Sequence, residues 1–338
     1  MLGALRRRIA LWPRGHTHAH ASARGWGFAR RRRPARKLEW SLAMSHSTQL
    51  GRIETVNLPQ GALRYRERGS GRPVVFLHGL LVNGDLWRKV VPALADGYRC
   101  IVPDLPLGSH EIPLPADADL SVPGLARLIA DFLAALDLED VVLVANDTGG
   151  ALAQVTVTEY PERIGALVLT SCDAYENFLP PLFRPLQLLA RTPRLLTLLL
   201  QPLRLRPLQR LPLAYGWLAK RPIEPAVADG YVRPFFTDPG VRRDCIKVLR
   251  GIDAAYTLRA AEKLAAFDRP VLLAWAAEDR FFPPAHARRL AAACPDATVE
   301  LIGDCYTFVS EDRPEALARV VRGFLDARRT RHDTRRSG

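Results

Sequence analysis

The chain has 338 residues, enough for one large α/β domain with an insertion, and its 48% hydrophobic and 25% charged residues are ordinary for a globular protein. The net charge of +13 lies at the ends, because residues 1–43 hold eleven Arg or Lys and one acid, and residues 328–338 hold five Arg and one Asp. The rest of the chain is close to neutral, which excludes a basic nucleic-acid-binding face on the globular body.

Residues 1–43 have no periodic apolar face and no apolar stretch long enough for a secretory signal. We expect a basic, disordered extension, with Met44 as an alternative start and a transit peptide as an alternative role. The HTHAH tract at 16–20 has no supporting residues around it, so no metal site and no cofactor are predicted.

The five cysteines are odd in number, scattered and without a CxxC pair. This usage is typical of reduced thiols in an intracellular, cytoplasmic protein. The leucine-rich run LLTLLLQPLRLRPLQRLPL is interrupted by Pro and Arg every few residues, so no membrane span is predicted.

From about residue 50, strand and helix patterns alternate. RIETVNL and ALRYRER predict two strands joined by a turn at PQG, and PVVFL (73–77) predicts a buried strand. DLWRKVVPALAD predicts a helix, YRCIVPDL a strand, and the amphipathic stretch 122–137 a second helix.

The second half of the pattern begins with the strand VVLVA (141–145), the helix GALAQVTVTEY (150–160) and the strand ALVLTS (166–171). After an interruption come RPVLLAWA (strand), AHARRLAAAC (helix), TVELIG (strand) and PEALARVVRGFLDA (helix). Short buried strands alternating with helices predict an α/β fold, a mostly parallel sheet with helices on both faces.

The interruption, residues 176–248, is rich in Leu, Pro and Arg and shows no strand pattern. It predicts a helical cap above the carboxyl edge of the sheet, where such sheets bind ligands. The predicted organisation is therefore a core in two parts, 44–175 and 249–328, the cap between them, and a basic tail at 329–338.

Three motifs follow the predicted strands in a fixed order: FLHG (76–79), ANDTGG (145–150) and AEDRFFP (277–283). In this order they resemble the α/β-hydrolase fold superfamily over about residues 50–328. The resemblance implies that ANDTGG is a nucleophile elbow with Asp147 at its apex. It also implies an oxyanion hole formed by the backbone N–H groups of Leu80 and Thr148, and Asp279 as the triad acid. Asp173, just after the sixth strand, is the alternative acid.

An aspartate at the nucleophile position resembles the branch that contains haloalkane dehalogenases and epoxide hydrolases. The carboxylate there attacks an electrophilic carbon and forms an alkyl–enzyme ester, which water then hydrolyses with a histidine as base. The specific markers differ in this chain: Thr148 stands where haloalkane dehalogenases have a halide-binding Trp. No motif assigns Tyr215 or Tyr231 to the two cap tyrosines of epoxide hydrolases.

The family histidine is also replaced. The matching loop reads GDCYTFVSEDRP (303–314), with Thr307 at the histidine position and no histidine in the loop. A threonine hydroxyl is not a comparable base, which counts against routine hydrolysis. His110, in a loop at the carboxyl edge, is the candidate relocated base, whereas His78 is expected to brace the HG loop.

The sequence leaves three functions open. The first is a hydrolase with an Asp147 nucleophile that acts without a cofactor on a small apolar electrophile, haloalkane-like or epoxide-like. The alternative is a catalytically impaired homologue that binds an apolar ligand. A lyase or isomerase in which Asp147 only moves protons is a third hypothesis.

Overall fold

The computed structural model describes residues 47–336, without the side chains of residues 213 and 328–336. The predicted basic extension 1–43 and its HTHAH tract lie outside the described residues.

Eight strands form one sheet in the order β1-β2-β4-β3-β5-β6-β7-β8. The contacts β1–β2 and β2–β4 are antiparallel and the others are parallel. The strands are β1 (Arg52–Leu58), β2 (Gly61–Arg68), β3 (Arg72–Leu77), β4 (Tyr98–Pro103), β5 (Val141–Asp147), β6 (Ile164–Cys172), β7 (Val271–Ala276) and β8 (Ala297–Ile302).

The helices are α1 (Val91–Leu94), α2 (Val122–Ala135), α3 (Thr148–Glu159), α4 (Arg184–Leu189), α5 (Pro193–Leu200), α6 (Arg206–Gln209), α7 (Pro225–Thr237), α8 (Pro239–Gly251), α9 (Ala254–Lys263), α10 (Pro284–Ala293), α11 (Val309–Asp312) and α12 (Pro314–Arg336). The backbone of α12 continues into the segment predicted as a basic tail.

The sheet separates two apolar cores, because successive side chains of a strand point to opposite faces. In β5, Val141, Leu143 and Ala145 join the core beneath α2 and α3, and Val142 and Val144 join the core beneath α1 and α12. All five are fully buried, as expected for a central parallel strand covered on both faces. The predicted α/β fold and its strand–helix alternation are confirmed.

The predicted continuous helix over DLWRKVVPALAD is wrong. A 3-10 helix covers Gly84–Trp87, and α1 begins only at Val91. The physical reason is Pro92, which has no N–H to donate and is tolerated only in the first turn of a helix.

Between β6 and β7, residues 173–270 form α4–α9 and short 3-10 or π turns, and contribute no strand to the sheet. The insertion leaves the sheet at the carboxyl end of β6 and returns at the amino end of β7. Its role as a cap over that edge stays a prediction.

Candidate active site

A sharp turn joins β5 to α3, and Asp147 lies at its apex. Its φ of 54° with ψ of −133° lies outside the left-handed helical region that aspartates adopt readily, so the surrounding structure must hold this strained conformation. A Cβ on Gly149 would lie 2.5 Å from the carbonyl oxygen of His78. A Cβ on Gly79 would lie 2.0 Å from Oδ2 of Asp147. Both positions therefore need glycine for the turn to be this tight.

Two backbone N–H groups hold the carboxylate of Asp147. Burial raises the pKa of this group, and hydrogen bonds from the N–H groups of Thr148 and Leu80 oppose that effect. The negative charge of Asp279 raises the pKa further, and the net value is about 6. At neutral pH Asp147 is therefore mostly ionised, and its charge faces the two donors that the sequence predicted as an oxyanion hole.

Asp173 lies directly after β6, fully buried beside the elbow. Its Oδ1 accepts a hydrogen bond from the N–H of Leu179 at 3.0 Å, and its Oδ2 accepts one from Oγ1 of Thr148 at 3.3 Å. Burial and the charge of Asp147 raise the pKa of Asp173 well above its ordinary value. Two neighbouring carboxyl groups resist being charged together, so we expect Asp173 to hold its proton while Asp147 is ionised.

Asp279 follows β7 and is turned toward the same edge of the sheet. Its Oδ1 accepts hydrogen bonds from the N–H groups of Phe281 and Phe282, both at 2.8 Å, and from Oγ1 of Thr307 at 3.1 Å. Burial raises the pKa of Asp279, while these donors and the hydroxyl of Ser171 lower it. The position predicted for a triad acid is therefore filled by a carboxylate that orients a threonine hydroxyl instead of an imidazole.

Asn146, beside the nucleophile position, was not singled out from the sequence. Its Nδ2 donates to Oγ1 of Thr170 at 3.0 Å and lies 2.9 Å from the carbonyl oxygen of Thr307. It therefore ties the loop after β8 to the elbow. No motif marks this role, because the partners lie 24 and 161 residues away in the chain.

The two histidines of interest have other partners. Nδ1 of His78 lies 2.9 Å from the carbonyl oxygen of Gly79, and Nε2 accepts from the N–H of Leu105 at 2.9 Å. Burial lowers the pKa of His78 to about 4, so the ring is neutral and braces the loop.

His110 is buried and lies in a different cluster. Its Nε2 is 3.2 Å from Oδ2 of Asp244 in α8, and its Nδ1 accepts from the N–H of Gly108 at 3.4 Å. Both ring nitrogens are therefore in use, and neither contacts Asp147. The structure does not bring this sequence-predicted base to the elbow.

Tyr215 and Tyr231 are both buried, with ring centroids 5.8 Å apart. The hydroxyl of Tyr215 donates to the carbonyl oxygen of Leu81 at 2.7 Å, and that of Tyr231 is 3.5 Å from Oε1 of Glu311. Neither hydroxyl bonds to Asp147. Tyr215 instead links the insertion to the loop that carries the Leu80 N–H.

Within residues 47–336, no group of three or more His, Cys, Asp or Glu side chains is arranged to hold a metal ion. None of the described helices is long and apolar enough to cross a lipid bilayer.

The fold and the elbow define a class of protein. The family model for the alpha/beta hydrolase fold matches residues 72–215 and 217–314, and the chain belongs to this family. Within the family, the chain resembles haloalkane dehalogenases.

Three similar proteins illustrate the relationship to this family. Cis-3-alkyl-4-alkyloxetan-2-one decarboxylase of Xanthomonas campestris is 30% identical over 289 residues, which cover 79% of this chain and 93% of that protein. Haloalkane dehalogenase 2 of Mycobacterium tuberculosis is 26% identical over 271 residues, 78% of this chain and 91% of that protein. The solved structure of a haloalkane dehalogenase loop variant from Bradyrhizobium elkanii is 22% identical, covers 84% of this chain and 99% of that chain, and superposes with a TM-score of 0.71. This last likeness concerns the fold.

Proposed function

We propose that Asp147 is a carboxylate nucleophile that attacks an electrophilic carbon of a small apolar substrate and forms an alkyl–enzyme ester. The observation that carries the proposal is the position of Asp147 at the apex of a strained elbow, where the N–H groups of Leu80 and Thr148 hold its carboxylate. An ionised carboxylate needs no base for the attack. The two N–H groups orient the carboxylate.

The fate of the ester decides the substrate class. Hydrolysis needs a base to deprotonate water, and Thr307, which bonds to Asp279, does not supply one. His110 is paired with Asp244. We therefore favour a reaction in which Asp147 is released without hydrolysis of the ester. The oxetan-2-one in the name of the Xanthomonas campestris relative allows such a reaction.

For an oxetan-2-one with alkyl groups at C3 and C4, the steps balance without a proton or an oxidant. An oxygen of Asp147 bonds to C4 while the C4–O bond of the strained ring breaks, which frees a carboxylate on C3. Loss of carbon dioxide then moves the C3–carboxyl electron pair into a C3=C4 double bond. The same electron flow breaks the bond from C4 to Asp147 and restores the aspartate. The products are an alkene and carbon dioxide.

A second candidate is favoured by the same threonine. Without a base for ester hydrolysis, the site fits a homologue that binds an apolar ligand and does not turn it over. In that case neither a haloalkane nor an epoxide leaves a covalent group on Asp147.

The test is to incubate the protein separately with a cis-dialkyl oxetan-2-one and with a panel of alkyl halides. From the oxetan-2-one we expect alkene and carbon dioxide over many turnovers. From the halides we expect one equivalent of halide and a mass increase equal to the alkyl group. Asp147→Asn removes both results, and Asp117→Asn, at an exposed position, leaves them intact. If no compound yields an alkene or an adduct, the catalytic proposal is wrong and the ligand-binding function takes its place.

A further inference from the structure

The insertion exposes an unusual number of leucines. In the described part of the chain, seven of the ten large apolar side chains that are exposed lie between residues 182 and 211. Scattered apolar side chains are normal on a protein surface, but a concentration of them in one segment marks an interaction site.

Helix α5 shows the arrangement most clearly. Leu195, Leu198 and Leu199 are 50%, 67% and 50% exposed and follow the i, i+3, i+4 spacing of one helix face. Leu196 and Leu200 are buried and hold the opposite side of the helix against the protein. The helix therefore has one apolar face packed in the core and a second apolar face directed outward.

The same segment carries charge of a single sign. No acidic residue occurs between Glu176 and Glu224, whereas residues 177–211 contain six arginines. Four of these are exposed and make no ion pair with any described residue; they are Arg184, Arg191, Arg194 and Arg210. Arg194 precedes Leu198 by four residues, so a guanidinium and a leucine share the outward face of α5.

We propose that this surface, the outward leucines of α5 with Arg191 and Arg194, docks the protein on an anionic lipid bilayer. Leucines that enter the acyl boundary and guanidinium groups that meet lipid phosphates are the two signals that stable peripheral binding needs. A second copy of the chain fits poorly, because a symmetric contact opposes arginine to arginine with no acid in the segment.

The test uses the full chain and vesicles of phosphatidylcholine, with or without phosphatidylglycerol, in a sedimentation assay. We expect binding to the anionic vesicles that weakens as salt is raised. The triple variant Leu195→Ser, Leu198→Ser, Leu199→Ser lowers the partition coefficient by at least about tenfold. The double variant Arg191→Gln, Arg194→Gln lowers it by roughly 25-fold, about fivefold for each charge.

Matched controls exist elsewhere on the surface. The variants Leu258→Ser with Leu301→Ser, and Arg288→Gln with Arg319→Gln, change exposed residues outside the leucine- and arginine-rich segment 177–211. They are expected to bind as the unchanged protein does. Asp147→Asn is also expected to bind normally, which separates this proposal from the catalytic one.

Two results would overturn the proposal. Residues 1–43 are rich in arginine, and binding that persists in both α5 variants would assign the attraction to other basic segments. Self-association that depends on the three leucines, without any binding to anionic vesicles, would assign the surface to a second copy. Circular dichroism of each variant checks that it is folded.

Discussion

The hydroxyl of Thr307 donates a hydrogen bond to Oδ1 of Asp279 at 3.1 Å, and Thr307 is completely buried. A carboxylate at this position is expected to orient a histidine, but here it orients a group that does not accept a proton at physiological pH. Asp147 and its two N–H donors are nevertheless in place. In the proposed function, Asp147 therefore forms an ester that Thr307 does not help to hydrolyse.

The first prediction concerns Thr307→His. An imidazole bonded to Asp279 supplies the missing base, so a haloalkane that alkylates the unchanged protein only once is expected to turn over. Halide release followed over time is the measurement. Thr307→Val is the matched variant, since it removes the hydroxyl without adding a base, and it should trap the alkyl group as before.

A histidine is larger than a threonine, and overpacking a buried site costs typically about 1–3 kcal/mol. The unfolding midpoint of Thr307→His is therefore measured beside its activity. A folded Thr307→His variant that still traps the alkyl group would show that the imidazole does not activate water there.

The second prediction is a pH dependence of ester formation. Only ionised Asp147 attacks, and its pKa is about 6. The single-turnover alkylation rate should fall about tenfold per pH unit below about pH 6 and level off above about pH 7. Intact mass measured at short times across this range gives the rate. A profile that is flat down to about pH 4 would contradict the raised pKa.

The third prediction concerns stability. An unfolded aspartate has a pKa of about 3.9, and the folded value for Asp147 is about 6. The folded state therefore binds more protons between these values, and stability is lost as the pH rises from about 4 to about 6. Asp147→Asn removes this penalty and should raise the free energy of unfolding by about 1–2 kcal/mol at pH 8, reduced from the full shift because the group is half-buried.

Urea unfolding at about pH 8 and about pH 4 measures this difference, which should shrink at the lower pH. Asp117→Asn, an exposed position, is expected to change stability by less than about 0.5 kcal/mol at either pH. An Asp147→Asn variant that is less stable than the unchanged protein at pH 8 would refute the prediction.

Local patterns in the sequence predicted the sheet and the elbow. VVLVA followed by small residues predicts a buried strand and a tight turn. The structure has β5 there, with Asp147 at its end. The break at Pro92 is explained by the missing N–H of proline, which the prediction of one helix over DLWRKVVPALAD left out of account.

Contacts between distant residues were not predictable in this way. His110 is in a loop predicted at the carboxyl edge of the sheet, yet it bonds to Asp244, 134 residues further along. The link from Asn146 to Thr307 spans 161 residues. Such pairs depend on how the insertion and the loops pack, which periodicity and motif spacing do not specify.

The fourth prediction tests Tyr215, a positioning residue. Its hydroxyl bonds to the carbonyl oxygen of Leu81, the neighbour of the Leu80 N–H donor. Tyr215→Phe should lower stability by about 1 kcal/mol and slow alkylation several-fold, because the loop holds that donor less firmly. Tyr231→Phe is the control: its hydroxyl lies 3.5 Å from Glu311, away from this loop, and the alkylation rate should not change.

The last prediction concerns Gly79. An alanine Cβ there would lie 2.0 Å from Oδ2 and 2.6 Å from Cβ of Asp147, closer than packed atoms approach, so the carboxylate must move away from its N–H donors. A displacement of about 1 Å is enough to cost roughly 100-fold in rate, and Gly79→Ala should lose at least that much alkylation.

Gly230 provides the matched control for this change. It lies within α7 and has nothing within 4 Å of an added Cβ, so Gly230→Ala should keep the alkylation rate and raise stability by up to about 1 kcal/mol through helix propensity. Mass spectrometry gives the rates and thermal unfolding the stabilities. A Gly79→Ala protein that is alkylated as fast as the unchanged one would mean that the reacting group is not the Asp147 carboxylate at this position.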